Sequence, residues 1–118
     1  MKEIKKFENV TETGKNFKEL GISSTVYWAY QNSKEAGYDL IDFKDVIWEK
    51  DVKEIISTCR ENEIDTITIS GTYSGLLPIL AEFEKFGCKV GGMTEIKSSS
   101  IDLATGKNKV FPAIVVNM

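Results

Sequence analysis

The stretch SGTYSG at positions 70–75 joins a β-branched run to an apolar run. Turns of this kind, from strand to helix, can carry a nucleophile or hold a phosphate. A nucleophile elbow requires Gly-x-Ser-x-Gly. Gly71 and Gly75 have that separation, but Tyr73 holds the middle position and Ser74 comes one place late. The chain contains no histidine, so neither Ser-His-Asp nor Cys-His catalysis can be assembled, and no His-containing metal site. A Walker A loop also fails, because no Gly-Lys-Ser/Thr follows. An anion could still be held at a helix N-terminus by Gly71, Thr72, Tyr73, Ser74 and Gly75, where free N–H groups and the helix dipole favour negative charge. The competing reading is a hinge, with Gly71 making the turn, Ser74 capping the helix and Tyr73 at the tip.

Carboxylates supply the second set of candidates. Residues 34–65 hold ten acids against five bases, within a chain of net charge −3. Asp39, Asp42, Asp45, Glu49 and Asp51 invite comparison with a calcium loop, but their spacings of three and the missing central glycine break the EF-hand rhythm. Solvated acids and helix caps are the plainer explanation. A small enzyme using Asp or Glu would need two of them paired in a cleft. No motif implies a cofactor or metal.

Aromatic residues crowd the same half of the chain: Tyr27, Trp28, Tyr30, Tyr38 and Trp48. Large aromatics serve equally as core and as binding anchors. Adjacent helical residues lie about 100° apart, so Tyr27 and Trp28 are expected to point away from each other. One packed face cannot easily bury Tyr27, Trp28 and Tyr30 together. The candidate partner-binding surface is therefore Tyr27, Trp28, Asp42, Asp45, Trp48 and Glu49. Aromatics beside acids suit a basic protein partner and disfavour direct nucleic-acid binding.

These residues need elements to hold them. A short helix is expected over roughly 11–20, with Phe17 and Leu20 inward. A second runs from a cap at Ser23 or Ser24 to about Ala36, closed by Gly37. DLIDFKDVIW, 39–48, fits no single period and reads as an extended or turn-rich connection. Val52, Ile55, Ile56 and Cys59 mark a third helix over about 50–62. TITIS, 66–70, is a strand with one apolar and one polar side. A fourth helix runs to about Phe86 and, being apolar over much of its circumference, is expected to be the best buried. KVGGMTEIKSSSI, 89–101, is a second strand, with Gly91-Gly92 marking a bulge, and VFPAIVVNM a third after a turn at Gly106. The expectation is a single α+β domain of α/β type: residues 1–37 helical, and 38–118 a three-stranded mixed sheet. That sheet is a β-α-β unit with parallel strands plus a terminal hairpin, with helices on one face. Whether the hairpin strand lies outside or between the other two is open.

At 42% hydrophobic and 28% charged residues, the chain has the composition of a globular domain. No apolar run approaches a membrane span. MKEIKKFENV lacks an apolar h-region and reads as mature protein. Cys59 and Cys88 are expected as free thiols in a reducing, cytoplasmic setting.

Three segments resemble a family of small uncharacterised α/β proteins encoded on phages, plasmids and integrative elements of Gram-positive bacteria. They are LIDFKDVIWEKDVKEI, TITISGTYSGLLPILAEFEKFGCKVGGMTEI and TGKNKVFPAI, within residues 34–114. The marks are IDF…DVIW, the strand followed by Ser-x-Thr-Tyr-Ser, FGC and the TGK turn. The resemblance implies a mobile-element accessory protein and carries no active site. Proteins of this size and setting include inhibitors of defence nucleases, anti-CRISPR proteins among them, so the leading expectation is a protein binder acting on a basic host protein. A ligand or anion module at 70–75, a small Asp/Glu enzyme and a structural homo-oligomer are the alternatives.

Overall fold

The computed structural model describes residues 3–8, 10 and 17–118. Among the described residues three helical segments precede the sheet, not the two expected, because Phe7 buries an added turn against α3: α1 (Lys5–Glu8), α2 (Phe17–Leu20) and α3 (Ser24–Ala36). They are followed by β1 (Ile41–Phe43), a 3₁₀ turn at Glu49–Asp51, α4 (Val52–Glu61), β2 (Thr66–Ile69), α5 (Leu76–Lys85), β3 (Lys89–Ile101) and β4 (Asn108–Asn117). Of the helix expected over 11–20, residues 11–16 lie outside the described residues. Its last turn is α2, where Phe17 and Leu20 pack against the core.

The sheet has four strands, not three, in the order β1-β2-β4-β3. The extra strand is β1, in the segment expected to be a connection. Ile41, Asp42 and Phe43 are all buried, so no alternation marks them as a strand. β1 pairs parallel with β2, Ile41 beside Ile67 and Phe43 beside Ile69, and α4 makes the crossover. The expected β-α-β unit of β2, α5 and β3 keeps parallel strand directions, because both pair antiparallel with β4. β4 lies between them. Its pairing with β2 stops at Ile69 with Ile114, so Pro112 falls where β4 has only β3 for a neighbour. A proline is tolerated where one side of a strand is unpaired.

Alternation puts Ile41, Phe43, Ile67, Ile69 and Val116 on one face, buried in a single core with α3, α4 and α5. α4 buries Val52, Ile55, Ile56, Thr58 and Cys59, more of its length than α5 does. α5 is therefore not the best-buried helix: Leu77, which completes its apolar circumference, is 77% exposed. Phe7 of α1 is fully buried, edge-on to Tyr30 with ring centroids 5.1 Å apart. The Tyr30 hydroxyl accepts from the Ile4 amide at 3.3 Å and donates to Glu8 at 3.2 Å, fixing α1 onto α3.

α3 begins at Ser23, whose hydroxyl accepts from the Val26 amide, and ends at Gly37 in the left-handed region at φ 77°. Gly37 answers a second demand there. A Cβ would stand 2.9 Å from the Ser99 Cβ, so the glycine lets the β3–β4 hairpin close onto the end of α3. Ser98 donates to the Ala36 carbonyl at the same point, at 3.4 Å. β3 shifts register between Val90 and Met93, at the Gly91-Gly92 pair that marks a bulge in the sequence.

Candidate functional site

The polar face of the sheet is built from β1 and β2. Asp42 stands beside Thr68 in the parallel ladder, and both are buried. Thr68 donates to Asp42 Oδ1 at 2.8 Å, and Ser70 donates to Oδ2 at 2.6 Å. Each carboxylate oxygen thus has a hydroxyl donor. Burial pushes the Asp42 carboxyl above the usual carboxylate range, while these hydrogen bonds and nearby Lys44 pull it back down. Tyr38 is also raised, first by burial and then by the Asp42 charge. Behind Asp42, the Ser33 hydroxyl of α3 accepts from the Asp42 amide at 2.9 Å and donates to its carbonyl at 3.4 Å. One serine thereby satisfies part of the open edge of β1.

A cleft of about 570 Å³ opens between the outer side of α3 and residues 38–48. It brings together four of the residues singled out from the sequence: Trp28, Asp42, Asp45 and Trp48. The indoles are 53% and 64% exposed. Asp45 is exposed, and it has no hydrogen bond or ion pair among the described residues. Lys44 shares the lining and leaves it acidic by a single charge.

Two of the singled-out residues lie elsewhere. Tyr27 packs into the core against Phe7 and Phe17, with centroids 6.1 and 5.4 Å away. It does not point away from Trp28: their rings meet edge to face at 5.0 Å. Side-chain length lets neighbouring aromatics lean together despite the angle between their Cβ directions. Glu49 opens the 3₁₀ turn and lines a neighbouring depression of about 380 Å³ with Tyr73, Ser74 and Gly75. Val46 and Trp48 line both hollows, so the two candidate sites adjoin.

Within SGTYSG most groups hold the 43–47 segment. The amides of Ser70 and Gly71 both donate to the Phe43 carbonyl, at 3.2 and 3.3 Å. A Cβ on Gly71 would collide with the Lys44 carbonyl oxygen. The Tyr73 hydroxyl accepts from the Ile47 amide at 3.1 Å. Ser74 does not cap α5. Gly75 holds the N-cap position without a side-chain hydrogen bond, and Ser74 is exposed. The turn closed by Leu76 N–H on the Tyr73 carbonyl starts the helix one residue too late for Ser74 to cap it. Thr72 is exposed as well.

Sequence reasoning missed Ser33, Tyr38, Lys44, Thr68 and Ser70 as parts of the site. The polar side of TITIS was the available signal for Thr68 and Ser70. Nothing local connected them to Asp42, which is 26 and 28 positions away.

Cys59 and Cys88 are both free and buried. No helix among the described residues is long and apolar enough to cross a membrane. No group of three or more Cys, Asp or Glu among them could hold a metal ion.

Fold and cleft together define a small mixed α/β domain with an acidic hollow rimmed by tryptophans. The chain belongs to the family described as a domain of unknown function, DUF7698, whose model matches residues 25–118. That span takes in α3 from its second residue, the cleft and the whole described sheet, and omits α1 and α2. No curated protein and no solved structure matches the chain.

Proposed function

We propose that this protein acts by binding another protein, and that its cleft receives an arginine or lysine side chain presented by that partner. The observation that carries the reading is the placement of two half-exposed indoles, Trp28 and Trp48, around a cleft containing Asp42 and Asp45. An indole face attracts a guanidinium or ammonium group by roughly 0.5–2 kcal/mol, more as water is excluded. A carboxylate adds charge-assisted hydrogen bonds, bidentate ones with arginine. Asp42 has its oxygens occupied by Thr68 and Ser70, so it supplies charge from beneath. Exposed Asp45 is the direct acceptor.

The sequence resemblance to phage, plasmid and integrative-element proteins supplies the setting: a mobile-element accessory protein in the reducing cytoplasm. Its partner is a basic host protein, a bacterial defence nuclease being the leading case, and binding there would inhibit it. Titration with an arginine-rich peptide tests the chemistry. Tryptophan fluorescence should change on binding, affinity should fall as salt rises, and the Trp48→Ala and Asp45→Asn variants should lose the response. An equal response to an acidic peptide, or none to either, would overturn the reading. Inhibition assays against a panel of defence nucleases then address the partner.

Ligand capture at 70–75 draws less support. Gly71 and Tyr73 are committed to the 43–47 segment, and a phosphate-dependent rise in melting temperature would be needed to revive it.

A further inference from the structure

The two edges of the sheet are treated differently. At β1, α3 lies alongside and Ser33 bonds to the Asp42 backbone. At β3, the outermost strand on the other side, no hydrogen bond among the described residues reaches the backbone of Met93–Lys97 except from β4. This stretch pairs with β4 in unbroken register, from Met93 with Ile114 to Lys97 with Val110, between two irregularities. An open, regular strand edge is a template for another strand.

We propose that a second copy of this chain covers that edge, pairing β3 antiparallel with its own counterpart to make one continuous eight-stranded sheet. The argument is charge complementarity. A two-fold axis normal to the sheet pairs residues of the same face, so it passes through a residue. Centred on Glu95 it would set glutamate against glutamate, and centred on Lys97, lysine against lysine. Centred on Thr94 it pairs Glu95 with Met93 and Lys97 with Gly91 of the other copy. Centred on Ile96 it sets Glu95 opposite Lys97, and by symmetry Lys97 opposite Glu95. Directly opposed unlike charges stabilise a strand pair and like charges destabilise it. Both side chains are exposed, on the face opposite buried Ile96, so the pairing needs no rearrangement of the core. Thr94 then meets Ser98, a pair of small hydroxyl residues.

Charge reversal tests register and partner together. Wild-type protein should show twice the mass of one chain by light scattering or sedimentation. E95K alone and K97E alone should each weaken association by roughly tenfold or more, because every single reversal creates two like-charge pairs. The double variant E95K/K97E should restore it. Melting temperature and circular dichroism report whether each variant is folded, and both positions are exposed. A wild-type protein that stays monomeric at high concentration overturns the proposal. So does a dimer whose association is unchanged by the single reversals, or one that the double reversal fails to restore.

Discussion

Ser70 Oγ lies 2.6 Å from Asp42 Oδ2, tying the end of β2 to the middle of β1 beneath the cleft. The first hydroxyl of the SGTYSG stretch is thereby a support for a buried acid. Asp42 is an acid that is buried and doubly bonded, so its protonation is linked to folding. Burial raises its folded-state value above that of the unfolded chain. Between those two values the folded state holds more protons than the unfolded one, so this group's contribution to stability declines as pH rises through the window. Urea denaturation across the acidic range should show that component, and Asp42→Asn should remove it. Asp42→Ala leaves the Thr68 and Ser70 hydroxyls without their acceptor and should cost about 1–3 kcal/mol.

Ser33→Ala should destabilise the protein by about 1–3 kcal/mol, since one hydroxyl serves both the amide and the carbonyl of Asp42. Chemical denaturation measures the loss. Hydrogen exchange should show the Asp42 amide losing protection before the α4 amides do.

The hinge at 70–75 is tested from two sides. Gly71→Ala drives a methyl into the Lys44 carbonyl and should cost about 1–3 kcal/mol through forced backbone shifts. Tyr73→Phe removes the acceptor of the Ile47 amide and should cost about 1 kcal/mol. Both should speed exchange at Ile47. If Tyr73→Phe leaves that amide as protected as before, the hydrogen bond does not hold the segment.

Trp48→Ala and Trp28→Ala should separate binding from folding. Both side chains are more than half exposed, so stability should change by only about 0.5 kcal/mol. Affinity for a cationic peptide should fall by a far larger factor.

Cys59 is shielded by the core, and burial pushes its thiol up to about 12. The reactive thiolate is therefore scarce at neutral pH. Alkylation at pH 8 should proceed only as fast as the chain opens, and should accelerate sharply in denaturant.

Much of this arrangement is written locally. The repeat of Val52, Ile55, Ile56 and Cys59 marks α4 because a solvated helix buries one stripe. Gly37 marks the end of α3 because its left-handed backbone suits glycine, and Gly91-Gly92 coincides with the register shift in β3. β1 is illegible for the opposite reason. Its three residues are buried on both sides, and its charged centre is satisfied by Thr68 and Ser70, which only the folded sheet brings near. Phe7 is hidden similarly, since its burial depends on Tyr27 and Tyr30 closing over a single helical turn. The cleft was half visible: Trp28, Asp42, Asp45 and Trp48 meet there, whereas Tyr27 and Glu49, chosen by the same reasoning, do not.

The order β1-β2-β4-β3 sets a timetable for synthesis. Among the described residues β4 is the last strand in sequence but lies third in the sheet, and it supplies the one ladder joining β2 to β3. Without Asn108–Asn117, the described sheet leaves β1 and β2 each other as neighbours and β3 none. The Asp42 network needs only β1 and β2, whereas joining β3 to them requires Asn108–Asn117. Long-range pairing of this kind slows folding and leaves strand edges exposed meanwhile. Shortened forms lacking β4 are expected to aggregate.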